Sequence, residues 1–224
     1  FFLLFAVLFA LSGCTGKTTV EQSGNAYTIY YLNTSGIQLV GSEYRTETTD
    51  LDALVRELLD FVRVEKHGYK LECKPMNIVE RAGFLCLTFQ ETAKARNLRL
   101  TFTAETDNIR IDADESALNK ILNNLLHNAL KYAESYIEVN VRSLEGTATV
   151  SITNDGQPIT PEQRSEIFKP FVQYDNTPGS RSFGIGLSLA RSLAEMHTGT
   201  LELANDTART TFVLTLPATT PIAE

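Results

Sequence analysis

Apolar positions along the chain change their period several times, and the changes mark out its elements. The first ten residues, "FFLLFAVLFA", are apolar throughout. After "TGKTTVEQSGN", which reads as a polar spacer, "AYTIYYLNTSGIQLVGSEYRTE" holds two β-rich runs around Asn-Thr-Ser-Gly, the pattern of a hairpin. In "TTDLDALVRELLDFVRVEK", Leu51, Leu54, Val55, Leu58, Leu59 and Val62 recur at helical spacing behind a capping Thr or Asp, and Gly68 stops the helix. From Tyr69 onward strands and helices alternate. A strand "YKLEC", a helix from Asn77 to about Arg96, strands "LRLTFTA" and "IRIDA", and a long helix from Asp114 to Tyr132 come first. "YIEVNVRS" and "TATVSITN", joined by Leu144-Glu145-Gly146, read as an antiparallel pair. A helix starting at Pro161, an irregular stretch over 172–183, a helix over 185–197 and strands "TLELAN" and "TTFVLTL" complete the chain. The expected fold is α+β: a two-layer sandwich whose mixed, mostly antiparallel sheet carries helices on one face, preceded by a small hairpin and helix.

Composition narrows the classes. A chain of 224 residues with 43% hydrophobic and 21% charged residues suits one main globular domain plus a smaller element. Its net charge of −7 argues against a nucleic-acid surface. The three cysteines, Cys14, Cys73 and Cys86, form no C-x-x-C pair, so no zinc site or disulfide framework is indicated. Cys73 and Cys86 are expected as core thiols.

The stretch "LSGCTGKTT" at 11–19 has two readings. As a phosphate-binding loop it lacks the required first glycine, because Leu11 stands there. As the end of a secretion signal it fits better, with an apolar run followed by small residues and Cys14, and it is too short to span a membrane. "LSGC" resembles the lipobox of bacterial lipoproteins, which implies lipidation at Cys14. The chain opens on Phe1 and shows no basic start, so a truncated sequence is expected. The hairpin and helix over 24–60 resemble the beginning of a GerMN domain, found in bacterial lipoproteins. The expected domains are a signal and spacer over 1–23, this element over 24–60, a main domain over 61–217 and a tail over 218–224.

Candidate chemistry begins in "NNLLHNALKY". At 3.6 residues per turn, Asn124, Asn128 and Lys131 fall within roughly 60° of one another, while Leu118, Leu122, Leu125 and Ala129 cluster on another face. A solvated polar face is the plain explanation of such a stripe. Asparagine is, however, a poor helix former that tends to need a local reason. An amide oxygen is a neutral hard ligand for Mg²⁺ and a lysine meets phosphate oxygens, so these groups together suit a metal–triphosphate site. Further on, "VSITNDGQPI" ends a strand in Asn154-Asp155-Gly156, and "RSFGIGLSLARSLAEMHTG" places Gly184 and Gly186 directly before a helix.

In this order and spacing, the three segments resemble the ATP-binding catalytic domain of bacterial sensor histidine kinases, of the Bergerat (GHKL) fold, from about Asp60 to Pro217. The resemblance implies that "NNLLHNALKY" is the N box, with Asn128 as the Mg²⁺ ligand, Asn124 one turn earlier, Lys131 on the phosphates and Tyr132 against the nucleotide. "NDGQP" is then the box over adenine, contributing Asn154, Asp155 and Gly156. "IFKPF", with Phe168 and Phe171, is the F box. "GIGL" closes the ATP lid, where Gly184, Gly186 and Leu187 lie at a helix N-terminus whose amides approach the phosphates. Arg181 is either a phosphate contact or a solvated arginine.

Three positions depart from the family pattern. Asn154 stands where an adenine-reading aspartate is usual, which predicts weaker adenine binding. Pro158 replaces the second glycine of that box. Arg209-Thr210-Thr211 stands where Gly-Thr is expected, and Thr211 is taken to keep the hydroxyl.

ATPases of this fold carry a general-base glutamate four residues before the metal-binding Asn, and here that residue is Asn124. An amide cannot act as a base at neutral pH. The site therefore suits a protein histidine kinase that binds ATP and Mg²⁺ for γ-phosphoryl transfer. "LLDFVRVEKHGYKLE" resembles the end of the second dimerisation helix of that family, with residues 1–60 in place of the first. His67, His127 and His197 are followed by Gly, Asn and Thr instead of the family's Glu or Asp, so no self-phosphorylation is expected. The implied partners are a dimerisation domain bearing the phosphoacceptor histidine and, indirectly, a response regulator of a two-component system. A kinase domain belongs on the cytoplasmic face of a bacterial membrane, whereas the N-terminal segment implies export, and membrane attachment runs through that segment alone. The alternative is an exported lipoprotein with a non-catalytic binding or structural C-terminal module.

Overall fold

A computed structural model describes residues 17–23, 26–32, 38–40, 48–66, 68–174, 184–205 and 208–219. Cys14 with its lipobox, His67 and Arg181 lie outside them. The chain divides into two compact units, Phe1–Arg56 and Glu57–Glu224. In the first, β1 (Lys17–Ser23), β2 (Ala26–Leu32) and β3 (Gln38–Val40) form an antiparallel sheet in that order. The segment read as a spacer thus contains a strand. "TTV" supplies β-branched side chains, and all seven residues of β1 pair with β2. Helix α1 (Thr48–Glu65) begins in this unit and ends in the second.

The second unit is a five-stranded sheet covered by helices. Its strands are β5 (Arg99–Ala104), β7 (Tyr136–Leu144), β8 (Thr147–Asn154), β9 (Thr200–Leu203) and β10 (Thr210–Pro217), in the order β5-β7-β8-β10-β9. Only β5 and β7 run parallel. Helices α2 (Ile78–Ala95), α3 (Glu115–Tyr132) and α5 (Gly186–Met196) form the second layer, with a single turn α4 (Pro161–Arg164) between β8 and α5. "YKLEC" is not a strand. The pairing begins one residue later, at β4 (Lys74–Asn77), which joins β6 (Arg110–Ala113) in a separate two-stranded ladder. Cys73, expected in the core, is exposed in the segment before β4. Cys86 is buried on α2, and that burial pushes its thiol up to about 12.

Alternation dictates which face each strand buries. On β8, Ala148, Val150, Ile152 and Asn154 are buried, while Thr147, Thr149, Ser151 and Thr153 are partly open. On β10, Thr210, Phe212, Leu214 and Leu216 are buried in the same way. The helices supply the other half of this core. In α3, Leu118, Ile121, Leu122, Leu125, Leu126 and Leu130 are all at most 4% exposed. Burying each contributes roughly 1.5–3 kcal/mol, against roughly 0.5–0.7 kcal/mol of helix propensity lost at each asparagine. The apolar stripe therefore holds α3 helical despite Asn119, Asn123, Asn124 and Asn128.

Two polar junctions fix the ends of α3. At its start, Asp114 caps the Ala117 N–H at 2.9 Å and accepts the Glu72 N–H at 2.8 Å. Its own N–H donates to His197 Nε2 at 3.0 Å, and His197 Nδ1 lies 2.7 Å from the Leu193 carbonyl. The imidazole is thus a neutral tautomer with its proton on Nδ1, tying α5 to α3. Burial pushes the Asp114 carboxyl up, but the N–H groups of Glu72, Ala117 and Ser116 outweigh it and hold it below the usual value.

At the other end, the Asp155 carboxylate, just after β8, accepts the N–H groups of Glu134 at 3.1 Å, Ser135 at 3.0 Å and Tyr136 at 3.1 Å, and the Ser135 hydroxyl. Partial burial pushes this carboxyl up, but the Ser135 hydroxyl and the three N–H groups prevail and hold it well below the usual carboxylate range. Because the folded-state value is the lower one, the stabilisation is full above the ordinary value of 3.8 and is lost as pH falls through the folded-state value. Asp155→Ala should lower stability by about 1–2 kcal/mol at neutral pH. Thermal melts of both proteins check this: the gap between them should be constant above pH 5 and shrink on acidification below about pH 4.

Candidate nucleotide site

Helix α3 and the end of β8 bring most of the predicted site residues together. Asn124 and Asn128 are half-buried and one helical turn apart, and Lys131 completes the stripe. The Lys131 ammonium lies 4.8 Å from the centroid of the Tyr132 ring, which is 39% exposed. Directly beyond Tyr132, the chain meets the Asp155 clamp. Gly156 sits so close that an added Cβ would lie 1.7 Å from the Tyr132 carbonyl oxygen and 3.0 Å from Asn154 Nδ2. Only glycine fits there. Asn154 is 2% exposed on the helix-facing side of the sheet, and its Nδ2 has no hydrogen-bond partner. A buried donor without an acceptor costs free energy of about 1–3 kcal/mol. Such a group at a site lined by amides and a lysine marks a place for a polar ligand.

A third wall comes from the start of α5, which packs against α3. Gly186 and Leu187 form its first turn, and the helix carries no side-chain cap and no acidic residue there. Its leading N–H groups are thus available to an anion. Gly184 has φ +69°, and an added Cβ would lie 2.4 Å from the Val172 carbonyl oxygen. Its own carbonyl accepts the Phe171 N–H at 2.9 Å. The "IFKPF" segment is in turn pinned by aromatic contacts: Phe171 meets Phe61 of α1 edge-on at 6.2 Å, and Phe168 meets Phe212 of β10 at 6.1 Å. The Arg191 guanidinium caps Phe168 at 4.9 Å.

Two expectations change. Asp155 lies beside the site, but its carboxylate is engaged with the backbone of residues 134–136. Thr211 is on the opposite, open face of the sheet, where its hydroxyl pairs with Thr153 at 2.9 Å. The residue across from Asn154 on the same face is Thr210, 5% exposed. Strand parity with Phe212 was the signal that distinguishes them. The shallow polar depressions lined by Thr153, Arg209 and Thr211, and by Thr103 and Arg142, belong to that open face and not to this site. Of the histidines, His127 stacks edge-on to Phe89 at 4.9 Å, and His197 is the buried tie between α5 and α3.

Known proteins are similar to this chain in sequence and fold. Residues 113–220 match the family described as histidine kinase-, DNA gyrase B-, and HSP90-like ATPase. The sensor histidine kinase CusS of Escherichia coli strain K12 is 30% identical over 176 residues, covering 77% of this chain and 36% of that protein. The chain spans less than half the length of the curated relatives it matches. Among solved structures, the catalytic domain of histidine kinase ThkA superposes with a TM-score of 0.60 at 26% identity, covering 65% of this chain and 95% of that one. Full-length ShkA in complex with AMPPNP superposes with a TM-score of 0.70 at 23% identity, covering 79% of this chain and 37% of that one. Residues 113–220 therefore belong to the histidine kinase-, DNA gyrase B-, and HSP90-like ATPase family, as an ATP-binding domain of the histidine kinase type.

Proposed function

We propose that the domain holds Mg-ATP between α3, the end of β8 and the start of α5, and passes the γ-phosphoryl group to a histidine on a dimerisation domain. The observation that carries this reading is the pairing of one buried, unpartnered amide, Asn154, with an amide and lysine stripe on the adjoining helix. The base lies against Asn154 and Gly156, with Tyr132 beside it. The phosphates lie towards Lys131 and the uncapped N–H groups of α5 behind Gly184. Asn128 offers its amide oxygen to Mg²⁺. When bound, the metal neutralises charge on the β- and γ-phosphate oxygens. Among the described residues no group of three or more His, Cys, Asp or Glu side chains is placed to hold a metal.

The same face explains transfer in place of hydrolysis. At Asn124, one turn before Asn128, an amide stands where activation of an attacking water requires a base. The domain orients ATP and leaves the nucleophile to its partner, a phosphoacceptor histidine in a two-component system, with a response regulator downstream. The relatives' names support this reading, since CusS is a sensor histidine kinase. Among the described residues no helix is long and apolar enough to cross a membrane.

Two measurements test these roles. Asn128→Ala should weaken Mg²⁺-dependent ATP binding at least about tenfold, the loss of roughly 1.4 kcal/mol, while the melting curve without nucleotide stays unchanged. Unaltered affinity in titration calorimetry overturns the metal assignment. Phosphate release by the unmodified domain should be near background, and Asn124→Glu should raise it. Turnover in the unmodified domain near one per second, the lower end of ordinary enzymes, contradicts the transfer reading.

A further inference from the structure

Asn154 has a consequence for which base the site accepts. A carboxylate at the end of β8 presents acceptors only, so it pairs with the 6-amino group of adenine and opposes a carbonyl oxygen at that position. Asn154 presents one acceptor and two donors. Among the described residues its Nδ2 has no hydrogen-bond partner that would hold the amide in one orientation, and the residue is 2% exposed. Gly156 packs against it, and a Cβ there would stand 3.0 Å from Nδ2. An orphaned donor is relieved by an acceptor, and the 6-carbonyl of guanine or hypoxanthine is one.

We propose that Asn154 makes this a dual-purine site that binds 6-oxopurine nucleotides, GTP and ITP, comparably to ATP. The inference rests on the nucleotide-site reading above. With adenine, Oδ1 accepts from the 6-amino group. With a 6-oxopurine, Nδ2 donates to O6, and Oδ1 is free to accept the ring N1–H on the same edge. A half-turn of the amide exchanges the two ends without moving the backbone. No charge is buried in either complex, which removes the penalty that a carboxylate facing O6 would carry.

Titration calorimetry of the full chain with Mg-ATP, Mg-ITP and Mg-GTP tests this, with Mg-CTP as the control for a smaller base. The expected dissociation constants for the three purine nucleotides lie within about tenfold of one another, with CTP weaker than all three, since tenfold corresponds to a single modest hydrogen bond. Asn154→Asp should tighten ATP and widen the preference for ATP over ITP by at least about thirtyfold, on the scale of a buried polar group left opposed. Thermal melting of the variant establishes that it folds, and the nucleotide series on the unmodified chain stands without it. ATP binding with ITP and GTP both more than about a hundredfold weaker overturns the dual-purine assignment alone. Failure of all three purine nucleotides to bind overturns the nucleotide site and this inference with it.

Discussion

One carboxylate sets the relation between the two halves of the site. Asp155 gathers three successive backbone N–H groups, those of Glu134, Ser135 and Tyr136, at the point where the chain leaves α3 and enters β7. It thereby locks the end of β8 against the end of the helix that carries Asn124, Asn128 and Lys131. Gly156 then allows backbone to touch backbone at Tyr132, an approach that a Cβ would block at 1.7 Å. The residue before the clamp, Asn154, is left buried on the helix side, and the residue after it forms the floor. Neighbouring side chains thus face different surroundings: Asp155 ties the backbone of residues 134–136, and Asn154 is buried on the helix side with Nδ2 unpaired among the described residues.

The site is polar without being acidic, although the chain as a whole carries −7. Asn124, Asn128 and Asn154 are neutral, Lys131 is cationic, and the first turn of α5 contains no acidic residue. A triphosphate brings about four negative charges, so carboxylates within a few ångströms would oppose it with energies of several kcal/mol at protein-like dielectric. Asp155, beside the site, is already held by N–H donors. In the proposed site, neutral amides would meet metal and base without that repulsion, and an amide at Asn124 cannot take the proton that hydrolysis requires.

Much of this was legible in the sequence, because the signals were local. The apolar stripe of α3 and the alternation in β8 and β10 predicted all three elements within a residue or two. Asn77 and Asp114 appear as the caps where the helices were expected to begin. Other features depended on pairing partners far away in sequence. "YKLEC" has strand-like composition but finds no neighbour, whereas Lys74–Asn77, with a proline inside it, pairs with Arg110–Ala113. Cys73 follows that shift and ends exposed. β1 was missed because its polar residues read as a spacer, and the ladder with β2 lies outside that local signal. Thr211 was taken from a family motif, and the pleat puts it on the open face, with Thr210 on the face of Asn154. The anchoring role of Asp155 needed the fold, since its partners are about 20 residues away in sequence.

The central claim is that the end of β8 and the amide face of α3 form one nucleotide site. Side-chain amide resonances of Asn154 and Asn128, followed by NMR as Mg-AMPPNP is added, test it most directly. The account predicts that both shift together, with a single dissociation constant, and that the Thr153 and Thr211 methyl signals on the open face stay in place. Nucleotide binding that moves the open-face signals and leaves both asparagines unchanged would contradict it.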